Sequence, residues 1–265
     1  MKNVIPLILL LVSIFSFSST AADVQLPKKK NLRIYLLLGQ SNMAGRGDIE
    51  DEDKTTHPRV LRLNYSNAWE IAIEPVHQDR PKGLGVGPGL AFGKQMAETD
   101  KKATIGLVPC AVGGTPLSRW SRGGDLYSNA VVRAKAAMND GTLKGILWHQ
   151  GENDSIELAT AETYEDRLAQ MIEDIREDLG QPKLPFVVGQ IGEFLYTRKD
   201  PTKTPHARRI NDALANIPNR VPNTACWKAT GLTHKGDEVH FDTKSEREMG
   251  RRFAEEMLKL QKKSR

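Results

Sequence analysis

Ser41 and His240 are the two residues whose types and surroundings fit a nucleophile and its base. Ser41 lies in the segment Gly-Gln-Ser-Asn-Met-Ala-Gly at 39–45, which follows an apolar run and whose glycines permit sharp backbone turns. A serine hydroxyl needs a nearby base to accept its proton before it can attack. His240 is the preferred base, because Asp237 three residues earlier could bind the other ring nitrogen. The pattern predicts acyl transfer through a covalent serine intermediate.

Glycine and amide residues elsewhere in the chain are candidates for stabilising the oxyanion that such a reaction forms. The backbone amides of Ser41 and of Gly113 or Gly114 are suitable donors, since glycine lets the main chain approach an ester closely. The side-chain amide of Gln150 or Asn153 could add a further hydrogen bond. These residues are therefore predicted to bind the substrate.

Glu152 competes with Asp237 for the role of third catalytic residue. It could orient His240 in place of Asp237, or it could hold loops together through backbone amides. As a buried carboxylate it would need partners in either position. Taken singly, Ser41 also fits a helix cap, and the 237–240 segment fits a solvated turn. Only their shared position at the ends of predicted strands favours the catalytic interpretation.

Five short apolar runs are predicted to be buried strands, and segments with helical periodicity lie between them. The runs are 33–38, 104–109, 145–149, 185–191 and 224–228. This alternation favours an α/β fold with a parallel sheet and helices on both faces. Ligands bind such sheets beyond the carboxyl ends of the strands. Ser41, Gly113, Glu152 and His240 each follow one of these runs, so we expect them to meet at one edge.

The helical segments have recognisable limits. Helices are predicted near 89–98, at 125–138, at 160–179, from Pro205 and from Thr243. The 160–179 segment repeats apolar residues every three or four positions, and the last helix opens with Thr243 and Glu246, a capping-box pair. The polar stretch 46–87 is the exception, and it predicts a long functional loop or an insertion.

Three segments resemble sequence blocks of a known family. The 39–45 segment resembles the first block of the sialate O-acetylesterase/acetylxylan esterase family, a carbohydrate-esterase branch of the SGNH hydrolases. Trp-His-Gln-Gly-Glu at 148–152 resembles the central block, and Asp-Glu-Val-His-Phe-Asp at 237–242 resembles the terminal one. Weaker matches lie at 87–89 and 113–115. The resemblance spans roughly 32–253.

The resemblance implies a flavodoxin-like, three-layer α/β/α fold with five parallel strands in the order 2-1-3-4-5. It implies Ser41 as nucleophile, His240 as general base, and a glycine of 113–115 in the oxyanion hole. It leaves both Asp237 and Glu152 open as the acid. The implied reaction is hydrolysis of acetyl esters on sugars, with acetylated xylan and O-acetylated sialic acid both open, and with neither metal nor cofactor. Gln40 departs from the wider SGNH pattern, in which Asp precedes the serine.

The first residues have the features of a secretory signal. Lys2 is followed by an apolar run at 4–17 and by the small residues Ala21 and Ala22, where a signal peptidase could cut. The run is shorter than the roughly 20 residues of a membrane-spanning helix. We therefore expect a signal peptide at 1–22, one domain at 23–265, and a secreted or periplasmic protein with no membrane anchor after cleavage.

Other function classes fit the sequence less well. A net charge of +5, from 38 basic and 33 acidic residues, is too small an excess to indicate nucleic-acid binding. The serine motif lacks the mid-chain Gly-x-Ser-x-Gly of an α/β-hydrolase, and the histidines lack metal-ligand spacing. The alternative that stays open is a secreted carbohydrate-binding protein on an inactive esterase scaffold. For either function Trp120 is a candidate sugar-stacking platform, although burial in the core fits it equally well. The oligomeric state is left open.

Cys110 and Cys226 are predicted to be free thiols. The implied strand order places them at opposite edges of the sheet, whereas a disulfide needs Cα atoms within about 7 Å.

Overall fold

The computed structural model describes residues 24–78, 80 and 82–263, and it is built around a seven-stranded sheet. The strands are β1 (Leu32–Gly39), β2 (Val60–Leu63), β3 (Trp69–Ile71), β4 (Thr104–Pro109), β5 (Thr142–His149), β6 (Phe186–Gly189) and β7 (Thr224–Trp227). Their order is β3-β2-β4-β1-β5-β6-β7, and every neighbouring pair is parallel except β2 and β3. The five predicted strands form the β4-β1-β5-β6-β7 part, so the parallel sheet and the order 2-1-3-4-5 are confirmed.

The expected number of five strands is wrong, because the stretch 46–87 contributes β2 and β3. Arg62 breaks the apolar pattern of β2, yet its side chain is buried. Its guanidinium donates to the Glu70 carboxylate at 2.7 Å and to the carbonyl oxygen of Ile73 at 3.2 Å. These bonds satisfy a buried cation that obscures the strand in the sequence. The predicted loop is therefore in part an extension of the sheet.

Helices cover both faces of the sheet and complete the three predicted layers. They are α1 (Ser41–Ala44), α2 (Pro88–Thr99), α3 (Asp125–Met138), α4 (Leu158–Glu162), α5 (Tyr164–Asp178), α6 (Phe194–Thr197), α7 (Ala207–Arg220) and α8 (Thr243–Lys263). Helix α8 packs on α2 and contacts β6 and β7. Helix α3 contacts β1, β4 and β5, and α5 contacts α3 and α7.

Two of the predicted helices differ in detail. The 160–179 helix is divided into α4 and α5 at Thr163. Helix α8 begins at Thr243 as expected, but the capping box with Glu246 is wrong. The Asp242 carboxylate caps the helix by accepting the N–H of Ser245 at 2.8 Å, and the side chain of Glu246 is fully buried instead. The side chain of Glu246 packs in the protein interior and does not cap the helix.

The core lies on both sides of β1. Every residue of β1 is buried except Arg33, which is half-buried. Strands covered on both faces have continuous apolar sequences, and this explains the absence of polar alternation at 34–38. Each fully buried leucine or isoleucine contributes about 1.5–3 kcal/mol of hydrophobic stabilisation. The carboxyl end of β1, where Ser41 follows, is therefore firmly held.

The sequence also led to predictions about a signal peptide, a membrane anchor and the two cysteines. The predicted signal peptide at 1–22 lies outside the described residues. Within the described ranges, no helix is long and apolar enough to span a membrane. Cys110 and Cys226 are both free thiols, as predicted. Cys226 lies in the edge strand β7, whereas Cys110 follows β4, which β2 and β3 separate from the other edge.

Candidate active site

Ser41 lies at the turn between β1 and the single-turn helix α1. Gly39 ends β1 with a φ of 134°, and a Cβ there would lie 2.0 Å from the carbonyl oxygen of His149 in β5. Only glycine fits both this dihedral angle and this close approach. The N–H of Gln40 donates to the same carbonyl at 2.9 Å, which ties the turn to β5. Ser41 is thus fixed at the carboxyl edge of the sheet, with 6% of its surface exposed.

His240 reaches Ser41 from the segment between β7 and α8. Its Nε2 lies 3.1 Å from the Oγ of Ser41, and its Nδ1 lies 2.7 Å from Oδ2 of Asp237. The other carboxylate oxygen of Asp237 accepts the backbone N–H groups of Val239 and His240, at 2.9 and 2.8 Å. Glu238 takes a positive φ of 59° within this tight turn. Serine, histidine and aspartate are therefore in hydrogen-bond reach in that order.

The carboxylate of Asp237 is ionised beside the imidazole. Partial burial alone would raise the pKa of Asp237, but hydrogen bonds from the backbone and ring of His240 and from the N–H of Val239 together lower it below its usual value. An ionised carboxylate only accepts hydrogen bonds, so Nδ1 of His240 carries the proton and Nε2 presents a lone pair to Ser41. A general base for the serine needs this tautomer.

The segment after β4 brings Gly113 next to two guanidinium groups. A Cβ on Gly113 would lie 2.1 Å from Nη2 of Arg80 and 2.5 Å from Nη2 of Arg46. Gly114 has a φ of 73°, which glycine adopts without strain. Within the described part of the chain, the backbone N–H groups of Ser41, Gly113 and Gly114 make no hydrogen bond. The site thus combines three such donors with two nearby guanidinium groups.

Asn153 and Gln150, the two predicted side-chain donors, have different surroundings. Nδ2 of Asn153 donates to the carbonyl oxygen of Gly114 at 3.1 Å, which leaves its second amide hydrogen. Gln150 is fully buried, and its Nε2 donates to the carbonyl oxygen of Thr115 at 3.0 Å and to the Asp154 carboxylate at 2.7 Å. Both amide hydrogens of Gln150 are used inside the protein, so only Asn153 retains one for a ligand.

Glu152 lies behind the site and makes neither a hydrogen bond nor an ion pair with His240. Its Oε1 accepts a hydrogen bond from Nδ2 of Asn42 at 2.6 Å, and its side chain is buried. Burial raises the pKa of Glu152 to about 7, although its hydrogen bonds oppose the shift. The structure therefore brings Asp237, and not Glu152, to the imidazole. Asn42 was not predicted as a site residue, and its position directly after Ser41 was the only signal for it.

Trp120 is a core residue and not an exposed platform. Its side chain is buried, and its ring packs edge-to-face on Trp148 with 5.5 Å between centroids. Its Nε1 donates to Oγ1 of Thr115 at 3.2 Å, and this hydroxyl in turn donates to the carbonyl oxygen of Val112 at 2.8 Å. Of the two interpretations left open for Trp120, burial is correct. Through Thr115, Trp120 stabilises the segment that contains Gly113 and Gly114.

A family model matches this chain over nearly its whole described length. The model for the carbohydrate esterase, sialic acid-specific acetylesterase family covers residues 31–259. The chain belongs to this family. The family resemblance inferred from the three sequence blocks is thereby confirmed, and the protein is a serine ester hydrolase of the carbohydrate esterases.

The esterase is similar to several individual proteins. A probable carbohydrate esterase from Arabidopsis thaliana is 35% identical over 256 residues, which cover 89% of this chain and 94% of the relative. Its crystal structure matches with a TM-score of 0.79 and 32% identity, over 88% of this chain and 99% of that one.

Two more distant proteins are also similar. One is a longer protein that matches over about half its length, and the other shares the fold. A sialate O-acetylesterase from Pongo abelii is 28% identical over 242 residues, which cover 72% of the esterase and 46% of the relative. The esterase thus spans about half the length of that protein. The crystal structure of NanS matches with a TM-score of 0.74 at 19% identity, over 90% of the esterase and the whole of that chain, and so shares its fold.

Proposed function

We propose that the esterase hydrolyses O-acetyl esters on sugars, with Ser41, His240 and Asp237 as its catalytic residues. The observation that carries the proposal is the unbroken series of contacts from Oγ of Ser41 to His240 at 3.1 Å and from His240 to Asp237 at 2.7 Å. The acetyl group and the sugar are suggested by the family to which the chain belongs.

Acylation follows from the atoms in this series. The Oγ of Ser41 attacks the acetyl carbonyl carbon while Nε2 of His240 takes the hydroxyl proton. The ionised Asp237 stabilises the imidazolium that forms. The carbonyl oxygen becomes an oxyanion, for which the amides of Ser41 and of Gly113 or Gly114 are the donors we propose. The imidazolium then protonates the departing sugar oxygen, the ester bond breaks, and the acetyl group remains on Ser41.

Deacylation repeats the same steps with water as the nucleophile. His240 takes a proton from water, the resulting hydroxide attacks the acetyl carbonyl, and the second tetrahedral intermediate uses the same oxyanion donors. Its collapse returns the proton to Oγ of Ser41 and releases acetate. Asn153, which keeps one amide hydrogen, is a further donor in both intermediates.

The two guanidinium groups beside Gly113 favour an acidic sugar over a neutral one. Arg46 is nearly buried and Arg80 is exposed, and the two guanidinium groups converge on Gly113. A guanidinium group has five N–H donors, so each arginine can bind a substrate carboxylate in addition to its partners within the protein. O-acetylated sialic acid carries a carboxylate, whereas the xylan backbone carries none. We therefore favour O-acetylated sialic acid of the two substrates, and acetylated xylan is the second candidate.

The test is release of acetate from each acetylated sugar by wild-type protein and by Ser41→Ala. Wild-type protein should release acetate and Ser41→Ala should release none above background. If both proteins are inactive and still bind glycan, the alternative function as a carbohydrate-binding protein on an esterase scaffold is correct.

The place of action is also a proposal. We propose that residues 1–22 are removed as a signal peptide and that the domain at 23–265 acts outside the cytoplasm, where acetylated polysaccharides and glycans are degraded. The support is the apolar run at 4–17 followed by Ala21 and Ala22. N-terminal sequencing of exported protein should begin near Asp23.

A further inference from the structure

Asn42, the residue after the nucleophile, is hydrogen-bonded to both neighbours of His240. Its Oδ1 accepts the N–H of Phe241 at 3.2 Å, and its Nδ2 donates to the carbonyl oxygen of Val239 at 3.3 Å. The side chain of Asn42 has no exposed surface. Because Val239 and Phe241 precede and follow His240 in the chain, the amide of Asn42 helps to set the position of the imidazole relative to Ser41.

Glu152 accepts the shortest hydrogen bond of that amide. Oε1 of Glu152 accepts from Nδ2 of Asn42 at 2.6 Å, a shorter contact than the one to Val239. An ionised carboxylate can only accept hydrogen bonds, so the NH₂ group must face Glu152 and the oxygen must face the N–H of Phe241. A flipped amide would place two oxygens against each other and leave a buried N–H without an acceptor. Glu152, the carbonyl oxygen of Val239 and the N–H of Phe241 all require the same orientation of Asn42.

The surroundings of Glu152 supply no competing charged partner. Nδ1 of His149 lies 4.0 Å from Oε1 of Glu152, while Nε2 of the same ring lies 3.1 Å from the carbonyl oxygen of Gln190. Burial lowers the pKa of His149 to about 4, so the ring is neutral and its Nδ1 carries a lone pair. The other titratable groups that face Glu152 are Tyr164 of α5 and Glu246 of α8. Among the described residues around Glu152, no cation forms an ion pair with its carboxylate.

We propose that Glu152 is a positioning residue of the esterase, which acts through Asn42 to hold the segment that carries His240. The inference rests on the proposed function, because it concerns the geometry of the Ser41–His240 pair. Glu152 anchors the amide of Asn42 through its shortest hydrogen bond, and Asn42 holds the residues on either side of the imidazole. A role of this kind explains a buried carboxylate so close to the site and yet out of reach of the histidine.

Ionisation of Glu152 should then affect the pH profile of the reaction. Burial raises the pKa of Glu152 to about 7, so its carboxyl group titrates near neutrality. A neutral carboxyl group is a weaker acceptor than a carboxylate, so protonation weakens the hydrogen bond from Nδ2 of Asn42. Activity should fall on the acid side as Glu152 is protonated and its hydrogen bond with Asn42 weakens.

A double-mutant cycle on p-nitrophenyl acetate tests the proposal. Glu152→Gln keeps the volume of the side chain but replaces an acceptor-only group with an amide that can turn. We expect kcat to fall about tenfold while KM changes by less than about twofold, because a slightly misplaced base slows the chemical step. In the plot of kcat/KM against pH, the fall on the acid side should become less steep. In the presence of Asn42→Ala, Glu152→Gln should cost less than about a further twofold, since its route to His240 is already removed.

Glu74→Gln is the matched control. Glu74 is also a buried carboxylate with a raised pKa, but its Oε2 accepts the N–H of Val76 at 3.1 Å and it has no bond to Asn42. On the acid side, the pH profile of kcat/KM for Glu74→Gln should equal that of the wild type. If circular dichroism shows that Asn42→Ala does not fold, Asn42→Ser takes its place in the cycle.

Two results would overturn the proposal. One is independent losses, in which the double variant loses the product of the two single losses. The other is an unchanged kcat and an unchanged acid side of the pH profile in Glu152→Gln with only a lower melting temperature, as for a residue that merely packs. Ser41→Ala, measured alongside, separates this failure from that of the proposed function: an inactive Ser41→Ala leaves the function standing, whereas an active one removes both.

Discussion

The Oγ of Ser41 and the Nε2 of His240 lie 3.1 Å apart, although 199 residues separate them in the chain. Ser41 is fixed by the end of β1, a central and fully covered strand. His240 precedes α8, which packs on α2 and on the two last strands of the sheet. The contact therefore depends on the whole sheet and its covering helices. It joins the first and last parts of the described domain at one edge.

Asp237 and Glu152 should differ sharply in their effect on catalysis. Asp237→Asn removes the carboxylate that selects the tautomer of His240, so kcat should fall by about three to four orders of magnitude. Glu152→Gln should cost only about tenfold, because Glu152 acts at a distance. Steady-state hydrolysis of p-nitrophenyl acetate by both variants measures the difference. A larger loss in Glu152→Gln would show that Glu152 is the orienting acid.

Gly39→Ala and Gly113→Ala should fail in different ways. A methyl group on Gly39 meets a backbone carbonyl at 2.0 Å in a left-handed conformation, so we expect the free energy of unfolding to fall by about 2 kcal/mol or more. The three atoms nearest to the Cβ of Gly113→Ala belong to the ends of the Arg46 and Arg80 side chains, which can move. That variant should melt like the wild type while kcat/KM falls about tenfold or more, because the oxyanion donors are crowded.

Thermal melts and initial rates on the same preparations distinguish these two outcomes. A stable and fully active Gly113→Ala would exclude the 113–114 segment from the oxyanion site.

Glu74 should make the protein less stable as the pH rises. Burial raises the pKa of Glu74 from its ordinary 4.5 to about 8. Between these values the folded state binds more protons than the unfolded state, so the free energy of unfolding falls as the pH rises through this window. Glu74→Gln lacks this contribution, and its loss of stability from pH 5 to pH 9 should be smaller than that of the wild type by about 1 kcal/mol or more. Urea denaturation at the two pH values measures the change; equal losses would contradict it.

Arg80 should affect acidic substrates and not neutral ones. In Arg80→Gln we expect kcat/KM for O-acetylated sialic acid to fall about tenfold, since one of the two cations beside Gly113 is lost. The rate on acetylated xylan should stay within about twofold of the wild type. Lys183→Gln, which removes a cation just before β6 and hence at the opposite edge of the sheet, is the control for net charge. Equal losses on both sugars in Arg80→Gln would argue against an acidic substrate.

Much of the fold and the centre of the site could be predicted from local patterns. The five central strands are continuous apolar runs because helices cover both of their faces, and each polar motif follows such a run at its carboxyl end. Asp237 and His240 are close in sequence, so a single turn is enough to join them. These features need only short-range patterns and one rule of sheet topology.

Other features depend on long-range contacts and could not be predicted. β2 contains Arg62, whose charge is satisfied by Glu70 and by carbonyl oxygens that no local pattern reveals. Glu246 has the spacing of a capping residue, but the packing of α8 on α2 buries it. The link from Glu152 to Asn42 joins residues that are 110 positions apart. Sequence alone therefore left the third catalytic residue open between Asp237 and Glu152.

Covalent trapping shows directly whether Ser41 is the nucleophile. Wild-type protein, Ser41→Ala and His240→Ala are treated with a reactive organophosphate ester that mimics the tetrahedral intermediate, and the adduct is mapped by mass spectrometry of peptides. We expect one adduct, on Ser41, which is absent in Ser41→Ala and forms at least about a thousandfold more slowly in His240→Ala. An adduct on another residue, or ester hydrolysis by Ser41→Ala at the wild-type rate, would contradict this role of Ser41.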